Sequence, residues 1–155
     1  MSSKLLLFFI NKYKRIYQIQ KYTLRAQGAI VGKNNTFNGW LQVKNPSNLV
    51  IGDRNVFNEF VYINCKGKVT IGSDCHFSVN AKLITTKLSK DLKSHISKEI
   101  QIGNNVWLAA NAMVAVSKTD IKISDFIIVG ANTYISRSLK KNGLYFGNNS
   151  FRESD

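Results

Sequence analysis

The chain has 155 residues, 44% of them hydrophobic, and its 22 lysines and arginines against 9 acidic residues give a net charge of +13. This length suits one domain with a real core. A positive field attracts anions, but the sequence holds no nucleic-acid recognition motif or stacking platform, so no nucleic-acid partner is expected. Cys65 and Cys75 form no CxxC pair, which argues against a zinc site or disulfide framework and favours a reducing cytoplasm.

Residues 1–28 differ in composition from the rest of the chain. The apolar run at residues 5–10 is too short to cross a bilayer, which needs about 20 residues. Apolar and basic side chains recur at helical spacing after it, which predicts a basic amphipathic helix. Two roles stay open and are compatible: a cap on the end of the repeats that follow, or a helix lying on an anionic membrane.

Between residues 29 and 135, apolar residues recur at every sixth position within each of five rows. A helix repeats near 3.6 residues and a strand at 2, so neither explains this period. A triangular solenoid does, with a short strand on each face and a turn at each corner. The predicted inward positions are Val31, Phe37, Val43, Ile51, Phe57, Ile63, Ile71, Phe77, Leu83, Ile102, Leu108, Val114, Ile123, Val129 and Ile135.

A second inward set, often of small residues, follows four positions after these slots. It comprises Leu41, Val61, Cys75, Ala81, Val106, Ala112, Ile127 and Thr133. Asn35 and Asn55 interrupt this set and are expected at corners. Gly, Asn and Asp near the row starts suit corners, since they tolerate the left-handed backbone of tight turns.

The spacing of the rows predicts one projecting loop. Successive rows begin at residues 31, 51, 71, 102 and 123, so about a dozen residues are inserted after Leu83. This loop, residues 84–99, carries four lysines and is a candidate functional element, because long excursions from a rigid scaffold often carry function. The repeat ends after Ile135, and residues 136–155 are predicted to form a short C-terminal tail.

Four stretches resemble the hexapeptide-repeat acetyltransferases. Residues 100–114, IQIGNNVWLAANAMV, resemble the signature of that family, and residues 129–138 and 144–152 resemble its closing motifs. Residues 71–78 are similar to the coil before the catalytic loop in the sugar O-acetyltransferase branch, which includes maltose and galactoside acetyltransferases. The resemblance covers residues 30–152 and is most specific at residues 100–114.

This resemblance implies a left-handed parallel β-helix of about five triangular coils, assembled as a homotrimer. It also implies acetyl-CoA as co-substrate, a sugar hydroxyl as acceptor, a pathway of surface polysaccharide or lipopolysaccharide synthesis, and no metal. The location expected is the cytoplasm, with the inner face of its membrane left open. The implied coenzyme contacts are Ala110, Ala131, Ser136, Arg137 and Arg152, with Lys140 and Lys141 as additional phosphate partners.

The chain departs from the family at the general base. The family histidine falls here near Ser89 or Lys90, and the chain has two histidines elsewhere. His95, in the same loop, is the first candidate, and His76, predicted to point outward beside Phe77, is the second. The alternative is a catalytically decayed trimeric scaffold or binding module. Two histidines do not suffice for the three zinc ligands of a γ-class carbonic anhydrase, which shares this fold.

Overall fold

Parallel strands stack on three faces around a triangular column. The structure is a computed structural model and describes residues 16–147 and 150–152. Face A holds β1 (Ile30–Val31), β4 (Leu49–Ile51), β7 (Val69–Ile71), β12 (Ile100–Ile102) and β15 (Ile121–Ile123). Face B holds β2 (Thr36–Phe37), β5 (Val56–Phe57), β8 (His76–Phe77), β13 (Trp107–Leu108), β16 (Ile127–Val129) and β18 (Gly143–Phe146). Face C holds β3 (Gln42–Lys44), β6 (Tyr62–Asn64), β9 (Lys82–Ile84), β14 (Met113–Ala115) and β17 (Tyr134–Ile135).

The remaining elements of the described residues lie outside this parallel stack. Helix α1 (Gln20–Ala26) precedes the first coil, and a 3₁₀ turn (Pro46–Asn48) follows β3. β10 (Thr86–Leu88) and β11 (His95–Ser97) form an antiparallel hairpin within the predicted projecting loop. β19 (Ser150–Arg152) pairs antiparallel with β18. The predicted all-β solenoid is therefore confirmed.

The core is a column of the predicted inward residues. All fifteen positions of the first set are buried except Val43, which is half-buried beside the open first coil. On face B, Phe37 stacks on Phe57 with ring centroids 5.4 Å apart, and Phe57 stacks on Phe77 at 4.8 Å. Full burial of each such side chain stabilises the fold by about 1.5–3 kcal/mol. Because the register repeats, one coil packs directly on the same slot of the next.

Corner AB, between faces A and B, revises the expected role of glycine. Gly52 and Gly72 have ordinary backbone angles, but a Cβ on either would lie 2.5 Å from the carbonyl oxygen of the next coil. These glycines are therefore required by close stacking rather than by a left-handed turn. The left-handed position comes two residues later and holds Asn34, Arg54, Asp74, Asn105 and Phe126, with φ between 54° and 60°.

Asn35 and Asn55 lie at this corner as expected, but their side chains point inward and are buried. The Asn55 amide donates to the Gly72 carbonyl at 3.0 Å, and its Oδ1 accepts the Cys75 backbone N–H at 2.8 Å. Asn35 makes the matching pair of bonds one coil earlier. Buried polar groups of this kind stabilise only when fully paired, and here each amide ties two coils together.

The solenoid continues past the five predicted coils. Leu139 bridges to Ile123 on face A, and β18 pairs with β16 on face B, which gives a partial sixth coil. Leu139 and Tyr145 are buried and again lie six residues apart. The step from Ile135 to Leu139 is four residues, whereas the step from Ile63 to Ile71 is eight. Because this corner is shorter, the last repeat is out of step with the earlier rows and was not recognised from the sequence.

Part of the predicted N-terminal helix covers the first coil, while residues 1–15 lie outside the described residues. Gln18 accepts the N–H of Phe37 at 3.4 Å and donates to its carbonyl at 2.8 Å. Buried Gln20 accepts the N–H of Leu41 at 2.6 Å and donates to the Gly39 carbonyl at 2.7 Å. These side chains therefore take the hydrogen bonds that a preceding strand would make.

Replacing Gln20 with leucine should destabilise the fold. The change leaves the buried N–H of Leu41 and the carbonyl of Gly39 unpaired, which we expect to lower the free energy of unfolding by about 2–4 kcal/mol. Urea denaturation followed by circular dichroism measures this difference. Gln27→Leu, at an exposed position just after the same helix, is the matched control and should change it by under about 0.5 kcal/mol. Equal effects of the two substitutions would contradict the capping role.

Cys75 occupies the slot in which the two preceding coils have asparagine. Its thiol donates to the Gly103 carbonyl at 3.1 Å, as Asn55 does to Gly72. We expect Cys75→Asn to retain or raise stability, because the amide extends the ladder, and Cys75→Val to lower it by about 1–3 kcal/mol. Thermal and urea unfolding of both variants measure this. A valine variant as stable as wild type would show that the sulfur only fills space.

Candidate functional site

The predicted coenzyme residues lie on different corners of the triangle. Ala110 and Ala131 are at corner BC, between faces B and C, where the backbone N–H of Asn132 donates to the Ala110 carbonyl at 2.9 Å. Ser136 and Arg137 follow β17 at corner CA, between faces C and A. Lys140 and Lys141 follow Leu139 at corner AB. Arg152 is in register with Leu144 at the C-terminal end. Face C thus separates Ala110 and Ala131 from Ser136 and Arg137.

The two histidines are on opposite sides of the column. His76 is exposed on β8 of face B, paired in register with Trp107. His95 is exposed on β11 of the hairpin, which leaves the column at corner CA. Corner CA is the vertex opposite face B in a triangle. The structure therefore does not bring the two candidate bases together within one chain.

The hairpin extends the outward surface of face C. β10 begins two residues after β9 ends, and the buried Leu83 and Thr85 alternate with outward Ile84 and Thr86. Asn64, on the outward side of face C, donates to Thr86 Oγ1 at 3.3 Å. By alternation Leu88 follows Thr86 on that side, and Leu88 pairs with His95. His95 is therefore presented on the outward side of face C.

Lys82 is a fixed cation on face C that the sequence analysis did not single out. Its ammonium donates to the carbonyl of Asn80 at 3.2 Å and to its Oδ1 at 2.8 Å. Asn80 in turn donates to Asn111 Oδ1 at 2.7 Å. In the sequence, Lys82 could be recognised only as an outward residue beside buried Leu83. Outward lysines are too common for that position alone to indicate function.

His76 lies in surroundings that are largely structural. Arg54 and Asp74 form an exposed ion pair at 2.7 Å at corner AB. The Arg54 hydrogen bond and charge lower the pKa of Asp74, with a smaller contribution from His76, and Asp74 raises the pKa of Arg54. The Trp107 indole donates to Ser78 Oγ at 2.9 Å. These contacts tie neighbouring coils together and present no nucleophile to His76.

A cationic depression lies at the C-terminal end of the column. It has a volume of about 380 Å³ and is lined by Arg137, Ser138, Lys140, Lys141 and Tyr145. The Tyr145 hydroxyl donates to the Lys141 carbonyl at 2.9 Å, which links β18 to the turn that carries Lys140 and Lys141. Three of the seven predicted coenzyme residues thus converge here. Cations and a hydroxyl in one depression suit a phosphate group.

A larger groove of about 820 Å³ runs along face A and was not expected from the sequence. It shares Lys140 and Lys141 with the depression and is also lined by Thr70, Gln101, Lys122 and Phe126, among others. The carboxylate of Asp125, at its edge, accepts the Asn104 N–H at 2.7 Å and so belongs to the stacking of the corner. This groove is separated from His95 by corner CA.

Comparisons with known proteins agree with this architecture. WcaF of Escherichia coli (strain K12), named as a colanic acid biosynthesis acetyltransferase, is 29% identical over 140 residues, covering 86% of this chain and 72% of WcaF. No family model matches the chain. The maltose O-acetyltransferase structure from Clostridium difficile 630 superimposes with a TM-score of 0.77 at 17% identity, covering 99% of this chain and 90% of the other.

A third comparison is with the hexapeptide-repeat acetyltransferase VCA0836 of Vibrio cholerae complexed with acetyl coenzyme A. It gives a TM-score of 0.73 at 19% identity and covers 84% of this chain and 73% of the other. The chain resembles the hexapeptide-repeat acetyltransferases. That predicted resemblance and the predicted left-handed β-helix are both confirmed. At these identities the structural likeness establishes the fold, and the chemistry depends on the site.

The hexapeptide-repeat signature at residues 100–114 is structural in this chain. Ile102, Val106 and Leu108 are buried in the column. A Cβ on Gly103 would lie 2.2 Å from a carboxylate oxygen of Asp125 in the next coil. The motif therefore specifies stacking, which explains why it predicts the fold of these acetyltransferases better than the identity of the base.

Neither cysteine of this acetyltransferase-like chain is suited to act as a nucleophile. Burial raises the pKa of the Cys65 thiol to about 12 and that of Cys75 to about 11, so both stay protonated near neutral pH. Within residues 16–147 and 150–152, no three His, Cys, Asp or Glu side chains are grouped to hold a metal ion. The described helices include none long and apolar enough to span a membrane.

Proposed function

We propose that the protein transfers an acetyl group from acetyl-CoA to a sugar hydroxyl, in the synthesis of a surface polysaccharide in the cytoplasm. The observation that carries the proposal is the position of His95, on the hairpin that extends the outward side of face C from corner CA, the corner that also holds Ser136 and Arg137. The likeness to WcaF, named for colanic acid biosynthesis, supports a polysaccharide acceptor.

The cationic depression is the proposed site for phosphates of the coenzyme. Arg137, Lys140 and Lys141 supply positive charge there, and Lys140 and Lys141 are exposed enough to reach a ligand. At corner BC the small side chains of Ala110 and Ala131 leave room for a narrow chain beside the backbone. Together these residues suit a coenzyme with a charged end and a thin arm. Acetyl-CoA supplies an activated thioester carbonyl.

His95 is the proposed general base. Its neutral imidazole takes the proton of the acceptor hydroxyl as the hydroxyl oxygen bonds to the thioester carbonyl carbon. The carbon–sulfur bond then breaks, and the proton passes from His95 to the departing sulfur. This sequence yields the acetyl ester and free coenzyme thiol without any further reactant.

We further propose a homotrimer, since a narrow column has flat faces available for burial against copies of itself. Face B presents outward Val56, Trp107 and Ile128, which are apolar and exposed or half-buried. We also propose that the basic segment at residues 1–15, outside the described residues, brings the enzyme to an anionic membrane surface. The positive charge of the whole chain favours such a contact.

A non-catalytic trimeric scaffold is the second candidate. It is favoured by the side chains at the position of the family base, where Ser89 and Lys90 stand in place of histidine. Ser89 forms a hydrogen bond with Asp91 and so belongs to the turn of the hairpin. Among the described residues, no hydrogen bond orients the His95 ring. A scaffold would retain the fold and lack acetyl transfer.

Acetyl-CoA should bind to the purified protein at one site per chain. Replacing both Lys140 and Lys141 with glutamine removes two charged donors, which should raise the Kd by about tenfold or more. Isothermal titration calorimetry measures this, and dephospho-coenzyme A tests the phosphate contact. The matched control is the pair Lys33→Gln and Lys66→Gln on the first two coils, which should leave the Kd unchanged. No heat from wild type would favour the scaffold.

His95→Asn should lower kcat by about 10²–10⁴-fold with little change in the Kd for acetyl-CoA, since a general base contributes about that much. His76→Asn should stay within about threefold of wild type. Release of coenzyme thiol, with maltose and polysaccharide fragments as acceptors, measures the rate. Because Cys65 and Cys75 are buried, the protein's own thiols do not obscure it. If kcat falls strongly in His76→Asn and not in His95→Asn, then His76 on face B is the general base.

A further inference from the structure

Two exposed aromatic residues stand on adjacent coils of corner BC. Trp40 and Phe60 are 56% and 64% exposed and occupy the same slot of the first and second coils. On coils three to five that slot holds Asn80, Asn111 and Asn132. Adjacent coils are about 4.8 Å apart, so the two aromatic side chains lie side by side along the corner.

Phe60 is held in a backbone conformation that phenylalanine disfavours. Its φ is 61°, in the left-handed region, where Asn80 and Asn111 have 59° and Asn132 has 55°. Asparagine tolerates this region, whereas a bulky side chain is strained in it. Exposed strain of this kind contributes nothing to the core. Phe126 at corner AB shares this conformation, so Phe60 is distinguished by the adjacent Trp40 rather than by strain alone.

Trp40 is partly fixed in its exposed position. Tyr17, packed against the core, meets the Trp40 ring edge-on, with centroids 5.6 Å apart and planes at 88°. Gly39 beside it leaves no room for a side chain, since a Cβ there would lie 2.7 Å from the backbone of Glu59. Trp40 therefore offers an exposed ring held in place from one side, as a binding surface requires.

The two corner segments that carry the pair contain no cationic side chain. The corner segments, residues 38–41 and 58–61, contain no lysine or arginine, and Glu59 is their one charged residue. In a chain of net charge +13, these two segments are thus neutral to acidic, and the Lys82 ammonium is held by Asn80 on the next coil. Asn38 donates to Asn58 Oδ1 at 2.8 Å beside the rings and adds polar groups. Apolar ring faces beside amides match a neutral carbohydrate, which has C–H faces and hydroxyl edges.

The pair also lies on the corner already assigned to the coenzyme. Ala110 and Ala131 are on coils four and five of corner BC, so Phe60 is two coils, or about 10 Å, from Ala110. We propose that Trp40 and Phe60 form a carbohydrate-binding platform that holds sugar rings of the acceptor on the corner that also carries Ala110 and Ala131. This rests on the proposed function, and names Trp40 and Phe60 as determinants of its acceptor specificity.

The test is binding of wild type and variants to an array of neutral oligosaccharides from bacterial surface polysaccharides. Trp40→Ala and Phe60→Asn should each weaken binding by at least about tenfold, because truncating a central aromatic contact commonly costs this much. Phe60→Asn should also raise the Tm by about 2–4 °C, since asparagine relieves the strain. A variant that is more stable yet binds glycan less well excludes a merely structural role.

Phe126→Asn is the matched control. Phe126 is equally exposed, at 62%, with φ of 58°, in a slot of corner AB that holds Asn34, Arg54, Asp74 and Asn105 on the other coils. It should gain stability in the same way and keep its glycan affinity within about threefold. Unchanged glycan binding in Trp40→Ala and Phe60→Asn would overturn the proposal, as would a wild type that binds no glycan on the array.

Three further measurements separate this inference from its alternatives. Loss of binding to phosphatidylcholine–phosphatidylglycerol vesicles in these variants, with glycan binding intact, would assign the pair to a membrane instead. If sedimentation shows that these variants form a smaller assembly than wild type, the aromatic pair contacts another copy of the chain. Acetyl-CoA calorimetry on the same samples tests the proposed function separately: glycan binding through the pair without coenzyme binding supports the platform and refutes the transferase.

Discussion

The stacking of one coil directly on the next is the constraint on which the whole structure depends. Successive coils approach so closely at corner AB that the carbonyl of Gly72 occupies the space where Gly52 would carry a Cβ. The same contact aligns every inward slot, so phenylalanine stacks on phenylalanine and the Asn55 amide reaches two coils at once. Backbone hydrogen bonds between coils then satisfy the strands without any long sheet.

A stacked column leaves two ends that need different solutions. At the first coil, the side chains of Gln18 and Gln20 supply donors and acceptors in place of a strand. At the other end the chain closes through a partial sixth coil, in which Leu139 and Tyr145 extend the core. Repeat proteins need such caps because an open end exposes both apolar slots and unpaired backbone groups.

The rigid column also explains where specificity resides. Inward slots are committed to stacking, so chemistry must come from corners, outward faces and the hairpin. Exposed residues that break the pattern of their slot are informative: Phe60 stands where coils three to five have asparagine, and His95 stands on the hairpin that projects from the column. The hexapeptide signature, in contrast, encodes close packing, and so it identifies the fold rather than the acceptor.

The sequence by itself determined the period, and with it the solenoid, the inward residues and the length of the inserted loop, because burial imposes an apolar residue at each slot. It did not reveal the sixth coil, since the corner after Ile135 is shorter than the others. It named His95 as the first candidate base, from its position in the loop, and His76 as the second. Only the tertiary structure placed them on opposite sides, because the face on which a residue lies depends on the corners before it. The aromatic pair at corner BC became visible for the same reason: Trp40 and Phe60 are distant in sequence and adjacent only in the stack.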